Sequence, residues 1–273
     1  MKKLFIPALL LLSLTGLVAC GSDNSGFVKN GVAYKNGDAA KVSAEVREAK
    51  ENKIKTVTEK VAIDVYAKVS ANKQSSTLKE TASATLTVDI DAKKISGKFD
   101  ITASVDSQKE TVKIDFEAIE QDGVFVFTKG AESATMIDED QLSTYYTNAT
   151  VNIYSWNYVT ETDDISSLVN QSGTSSISEQ EALTLVNKIS SNTVVSGDVT
   201  TGTFEVGLAE SLKVTISNYP FTFTKLKAVY EEGLLKSSVL GLSMNYKQSY
   251  NGQTASMTVK ESIDYNFSYT FKD

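Results

Sequence analysis

The chain has 273 residues, with 27 Lys and Arg against 34 Asp and Glu, no histidine, one cysteine, two prolines and one tryptophan. Without histidine there is no imidazole general base, no Ser-His-Asp or Cys-His nucleophile system and no His-ligated metal; one cysteine makes neither an intrachain disulfide nor a thiolate cluster. A net charge of −7 argues against nucleic acid as a partner, and 41% hydrophobic residues suffice for a globular core.

Lys2 and Lys3 precede an apolar run from Leu4 to Ala19. The run is too short to span a membrane and has the layout of an export signal. It ends in Leu17-Val18-Ala19-Cys20, which resembles the lipobox of bacterial lipoprotein precursors. That resemblance implies that residues 1–19 are a signal peptide and that the Cys20 thiol receives a diacylglyceryl group. The freed amine is then open to acylation, palmitate-like chains included. The protein is thereby expected on the extracytoplasmic side of a membrane of the bacterial cell envelope. Each buried methylene contributes roughly 0.8 kcal/mol, so two or three chains anchor durably. A mature chain that has lost two lysines is more acidic still, and is expected to be held by lipid and not by a basic patch.

Residues 20–37 are rich in Gly, Asn and Ser without a period and read as a flexible tether, able to span roughly 55 Å if extended. Residues 38–273 read as a single antiparallel β-rich domain. Asp38 caps a helix whose apolar positions Val42, Val46 and Ala49 form one stripe. From residue 56 the period becomes 2. Val61, Ile63, Val65, Ala67 and Val69 alternate with polar partners, as do Ala82 to Ile90, Ile95 to Val105 and Val112 to Ala118. This predicts an antiparallel meander with one apolar face. Asp122-Gly123 is a hairpin turn into Val124 to Thr128.

Beyond Lys129 the texture changes. Val151 to Val159 reads as a strand with Tyr154, Trp156 and Tyr158 on one face, followed by a helical stripe at Ile165, Leu168 and Val169. Ser178-x-x-Glu181 is a capping box for a helix presenting Ala182, Leu185, Val186 and Ile189. Strands resume near Thr193 and occupy Thr203 to Leu208, Lys213 to Ser217, Pro220 to Tyr230, Leu235 to Tyr250 and Met257 to the end. Tyr265, Phe267, Tyr269 and Phe271 read as core.

Strands, then helices, then strands predict an α+β fold: a large curled antiparallel sheet, open or half-barrel, with an N-terminal helix and mid-chain helices covering one side. This order of elements resembles the LolA/LppX-like lipoprotein family. The resemblance implies an unclosed barrel with helices over its mouth, carrying lipids or acylated proteins.

Few residues suggest reaction chemistry. Ser70-Ala71-Asn72-Lys73 and Ser22-Asp23-Asn24 match elements of penicillin-recognising enzymes, but in the wrong order and on the wrong elements. The acidic groups Asp138-Glu139-Asp140, Glu161 with Asp163 and Asp164, and Asp89 with Asp91 lack calcium-loop spacing. No catalytic residue, metal ligand or cofactor is expected, and the protein is not read as an enzyme. The expected partners are the membrane, through Cys20, and a lipid or acylated ligand lined by Tyr154, Trp156 and Tyr158. Small inward residues at 67, 82, 84, 97, 103 and 118 leave space for it. The alternative is a structural or adhesive surface lipoprotein without a small-molecule ligand.

Overall fold

The structure, a computed structural model, describes residues 26–29, 32–35, 46, 49–50, 53–71, 74–135, 137–147, 184–185, 188–189, 191–198, 201–216, 219–250 and 253–272. Cys20 and residues 1–19 lie outside this set, as do Tyr154, Trp156, Tyr158 and the stripe of Ile165, Leu168 and Val169.

Within the stretch read as a tether, β1 (Gly26–Lys29) and β2 (Val32–Lys35) pair antiparallel, with the turn dipeptide Asn30-Gly31 between them in sequence. Val46, Ala49 and Lys50, from the expected N-terminal helix, are helical. Alternation then yields β3 (Ile54–Ala71), β4 (Gln74–Asp89), β5 (Lys94–Val105), β6 (Gln108–Gln121) and β7 (Val124–Lys129). The β6–β7 turn is Asp122-Gly123, with φ of 54° and 87°, the doubly positive pair of a type I′ hairpin. After one helix, α1 (Glu139–Thr147), come β8 (Thr193–Asp198), β9 (Thr203–Leu208), β10 (Leu212–Ile216), β11 (Tyr219–Glu231), β12 (Leu234–Tyr250) and β13 (Gln253–Phe271).

All but β1 and β2 form one 11-stranded antiparallel sheet in the order β7-β6-β5-β4-β3-β13-β12-β11-β9-β8, with β10 also on β11. The N-terminal and C-terminal meanders are joined by β3 and β13, paired from Ala71↔Ala255 to Ile54↔Phe271. The sheet is not closed: β7 and β8 are its two ends.

The apolar phase of every long strand points to one inner face. Buried side chains from both arms, such as Val57, Ile95 and Phe116 with Phe204, Leu226 and Ile263, belong to a single core cluster, so the sheet curls around its own packing. Gly97 is required within it: a Cβ there would lie 2.3 Å from the Phe116 ring. The outer face is polar, with cross-strand hydroxyl pairs such as Thr58–Thr87 at 3.0 Å and ion pairs such as Lys113–Asp100 at 2.9 Å.

The expected α+β balance is corrected to a mostly β one among the described residues. α1 was not foreseen. Asp138 and Gln141 cap it reciprocally: the Gln141 N–H donates to Asp138 Oδ1 at 2.8 Å and the Asp138 N–H to Gln141 Oε1 at 2.9 Å. The acidic run Asp138-Glu139-Asp140 is thus a helix start, where the dipole favours negative charge. Of the helix expected after Ser178, residues 184, 185, 188, 189 and 191 are helical, and Ile189 is buried in the core cluster.

Candidate functional site

On β3, β4, β5 and β13 the inner face divides along the strands into a packed near half and a less covered far half, whereas on β10, β11 and β12 the same far rows are buried through Val214, Leu212, Phe223 and Met244. Cross-strand register defines its rows. The Val57 row carries Val88, Ile95 and Ala118, all buried. The next holds Leu86, Glu59 and Phe267, then Gly97 and Phe116. Rings fill this half: Phe99 stacks on Phe116 with centroids 6.0 Å apart, Phe116 meets Phe127 edge-on at 5.6 Å, and Phe125 contacts Tyr146 of α1 at 5.3 Å. Leu142 and Ile189 close over them, and Tyr146 Oη donates to the Ile90 carbonyl at 3.2 Å. Tyr265 and Phe267 are buried here, as expected of core residues, and Tyr269 is half-buried, but Phe271, also expected in the core, is 42% exposed at the end of β13.

In the far half the same face runs through Val65, Ala67 and Val69 on β3, Leu78, Glu80 and Ala82 on β4, and Ala103 and Val105 on β5. On β13 it continues through Met257, Val259 and Glu261. Most of these are half-buried, and the burial of their near-half counterparts is not repeated. The small residues Ala67, Ala82 and Ala103 stand on this face as expected, while Gly97 and Ala118 are covered by packing in the near half.

Carboxylates interrupt this apolar surface: among the described residues Glu110, opposite Ala103, is exposed, and Glu59, Glu80 and Glu261 are half-buried. Glu59 is flanked by Leu86 and Phe267, and burial pushes its carboxyl from 4.5 up to about 7. It has no ion-pair or hydrogen-bond partner among the described residues. Its charge also helps burial raise the Tyr145 phenol to about 12, and it acts in the same sense on Tyr265. Glu80 and Glu261 both face Val65 from its two neighbouring strands, roughly 10 Å apart. Burial raises both, and the Glu80 charge adds to the rise at Glu261. Deeper in the core, the hydroxyl of Ser238, cross-strand from Tyr265 and Ala228, is buried without a hydrogen-bond partner. What this face offers is a hydrogen bond from a carboxyl or phenol within a greasy surface.

Sequence reasoning missed these residues. Their signal was available: Glu59, Glu80 and Glu261 each occupy the apolar phase of an alternating strand, where a charge is out of step. Of the acidic residues it did consider, Glu161, Asp163 and Asp164 lie outside the described residues and the others have local roles. Asp89 accepts the Ala92 N–H at 2.9 Å in a turn, and Asp91 pairs with Lys272 at 2.6 Å. Among the described residues no group of three or more Asp, Glu, Cys or His is placed to hold a metal ion, and no helix is long and apolar enough to cross a membrane. A cavity of about 250 Å³ lies elsewhere, where β11 passes from β9 to β10 at the register shift between Phe223 and Lys225. Gly207, Ser211, Thr224 and Leu226 are among its lining residues.

No protein-family model matches the chain, and no curated protein is similar to it in sequence. Among solved structures it is similar to a beta-barrel-like protein of the domain of unknown function DUF1849 from Brucella abortus. Identity is 9%, the match covers 80% of this chain and 99% of that one, and the TM-score is 0.17. A DUF1329 family protein from Desulfovibrio piger is 8% identical over 85% of this chain and 92% of that one, with a TM-score of 0.12. Overlap this slight says nothing of shared function.

Proposed function

We propose that the protein is a lipoprotein of the bacterial cell envelope, anchored through Cys20, whose curled sheet shelters an apolar, acyl-chain ligand on the far half of its inner face. One observation carries this reading. On the same face of the neighbouring strands β3, β4 and β5, Val57 and Val88 are 1% exposed, while Val69 and Val105 are each 49% exposed. A packed sheet that continues outward with its apolar phase uncovered leaves greasy surface in want of a partner. At roughly 0.8 kcal/mol per buried methylene, a chain of about eight carbons laid there would gain on the order of 6 kcal/mol. Glu80 and Glu261, held toward their neutral forms by burial, suit the ester or carbonyl end of such a ligand. Leu142 of α1 and Ile189 pack into the core of the near half. No reaction is part of this reading; the protein binds and does not transform.

The second reading, a structural or adhesive surface lipoprotein, is favoured by the near half, where the protein's own rings fill the inner face. Native mass spectrometry of the full chain carrying Cys20→Ser separates the two. The carrier predicts co-purifying lipid mass that disappears when Ala82→Trp fills the far half, with the urea midpoint kept. A bare mass under gentle conditions in the unfilled chain would leave the structural reading.

A further inference from the structure

The outer face of the far half is basic, although the chain as a whole is acidic. One unbroken cross-strand row runs Lys109, Ser104, Lys79, Tyr66, Lys260, Ser243, Thr222 and Lys213, from β6 across to β10. Lys68 follows two residues beyond Tyr66 on β3, and Lys247 stands opposite Ser256 on the next outer row. All these lysines are exposed, and none has an ion-pair partner among the described residues. The contrast with β5, β6 and β7 nearer the core is direct. There Lys94 meets Glu117 at 2.5 Å, Lys113 meets Asp100 at 2.9 Å, and Lys98 and Lys129 flank Asp115 at 3.8 and 3.2 Å. No carboxylate interrupts the lysine row. Among the described residues the nearest on that face are Asp64, one outer row inward, and Asp106, whose oxygens accept from the Thr77 N–H at 2.7 Å and the Ser76 hydroxyl at 3.1 Å, while Glu80, Glu110 and Glu261 adjoin Lys79, Lys109 and Lys260 in the chain but take the inner face.

We infer that this lysine face at the hairpin-tip end of the sheet docks on an anionic bilayer surface. Neighbours in the row such as Lys109 and Lys79, or Lys79 and Lys260, are two strands apart, about 10 Å, roughly one Debye length at moderate salt. They therefore act together, while the acidic remainder of the molecule is screened. The same end bears apolar and aromatic side chains on its inner side: Val69, Val105 and Tyr219 are exposed, and Tyr219 meets Tyr246 edge-on at 5.1 Å. These side chains take the opposite face from the lysine row, so the charge of the outer face, and not this rim, carries the docking. The docking does not rest on the proposed function.

The test uses the full chain with Cys20→Ser and two vesicle preparations, pure phosphatidylcholine and phosphatidylcholine with phosphatidylglycerol. The leader contributes to both, and its Lys2 and Lys3 add to the anionic preference, so the lysine face is read from the change between variants that share the leader. Tighter binding to the anionic vesicles is expected, lost on raising salt. Each lysine near such a surface is worth about fivefold, so Lys68→Gln, Lys79→Gln and Lys260→Gln together should cut the preference by about a hundredfold. Replacing the paired Lys94, Lys98 and Lys113 by Gln should leave most of it. Equal binding to both vesicles, or a preference that survives the first triple variant, overturns the inference. So does binding of soluble polyphosphate without any vesicle preference, which would make the partner a dissolved polyanion. Absence of co-purifying lipid with vesicle preference intact would remove the carrier reading and leave the docking face standing.

Discussion

Glu59 is a carboxyl with an apolar residue on either side of it across the strands and, among the described residues, no cation to balance it. Its proton affinity in the folded state, about 7 against an ordinary 4.5, sets the sign of a pH effect. The native protein holds that proton where the unfolded chain has already released it. Its contribution to stability is therefore fully present below about pH 4.5 and is lost as pH rises through about 7. Glu59→Gln should flatten this slope and raise stability at pH 8 by about 2 kcal/mol, read from urea midpoints at pH 5 and pH 8. A slope unchanged in the variant would place the titration elsewhere. Glu80 and Glu261 act in the same direction, so part of the slope should survive. Alternation made Glu59, Glu80 and Glu261 findable as charges in the apolar phase. Their lack of compensation was not findable, because it depends on what three separate strands and α1 bring alongside.

α1 shows how an element escapes a periodicity search. Over Glu139–Thr147 the sequence EDQLSTYYT offers one deeply buried residue, Leu142, and several residues of middling helix propensity. The helix is held from outside itself, by its cap and by contacts of Tyr146 with Phe125 and Ile90. Asp138-x-x-Gln141 has the same form as the Ser178-x-x-Glu181 box, but it precedes no apolar stripe. Asp138→Ala should cost about 1 kcal/mol and increase amide exchange through the first turn of α1 while leaving the β3–β13 ladder protected. Strands behaved differently. β9 falls on Thr203–Leu208 as expected, and β11 and β12 extend by a single residue at most at either end, because alternation over many residues is a signal each strand carries alone.

For the molecule as a whole, the Leu17-Val18-Ala19-Cys20 motif predicts a location that cell fractionation can test. Cys20→Ser should move the protein from the membrane to the soluble fraction and remove the mass of its acyl groups. Membrane retention of the variant that persists in high salt would contradict the anchor, whereas retention that salt abolishes would report the lysine face. Net charge misled at this scale. A chain of −7 concealed a basic surface, because a charge total carries no information about which side of a sheet each residue takes. Once the register is known, Lys79, Lys260 and Lys213 fall on one row with Tyr66, from segments far apart in the chain.

Alternating polarity determined by itself that this chain forms long antiparallel strands, where most of them begin and end, and which residues share a face. Those properties are local, since the side-chain period of a strand needs no partner to be expressed. Only the tertiary structure decided that β3 and β13 join the two meanders, that on β3, β4, β5 and β13 one half of the inner face is filled and the other less covered, and that the lysines of the far half stand unpaired among the described residues. The β3–β13 ladder alone pairs residues as far apart in the chain as Ile54 and Phe271, and the free energy of such meetings lies in packing that no single segment encodes.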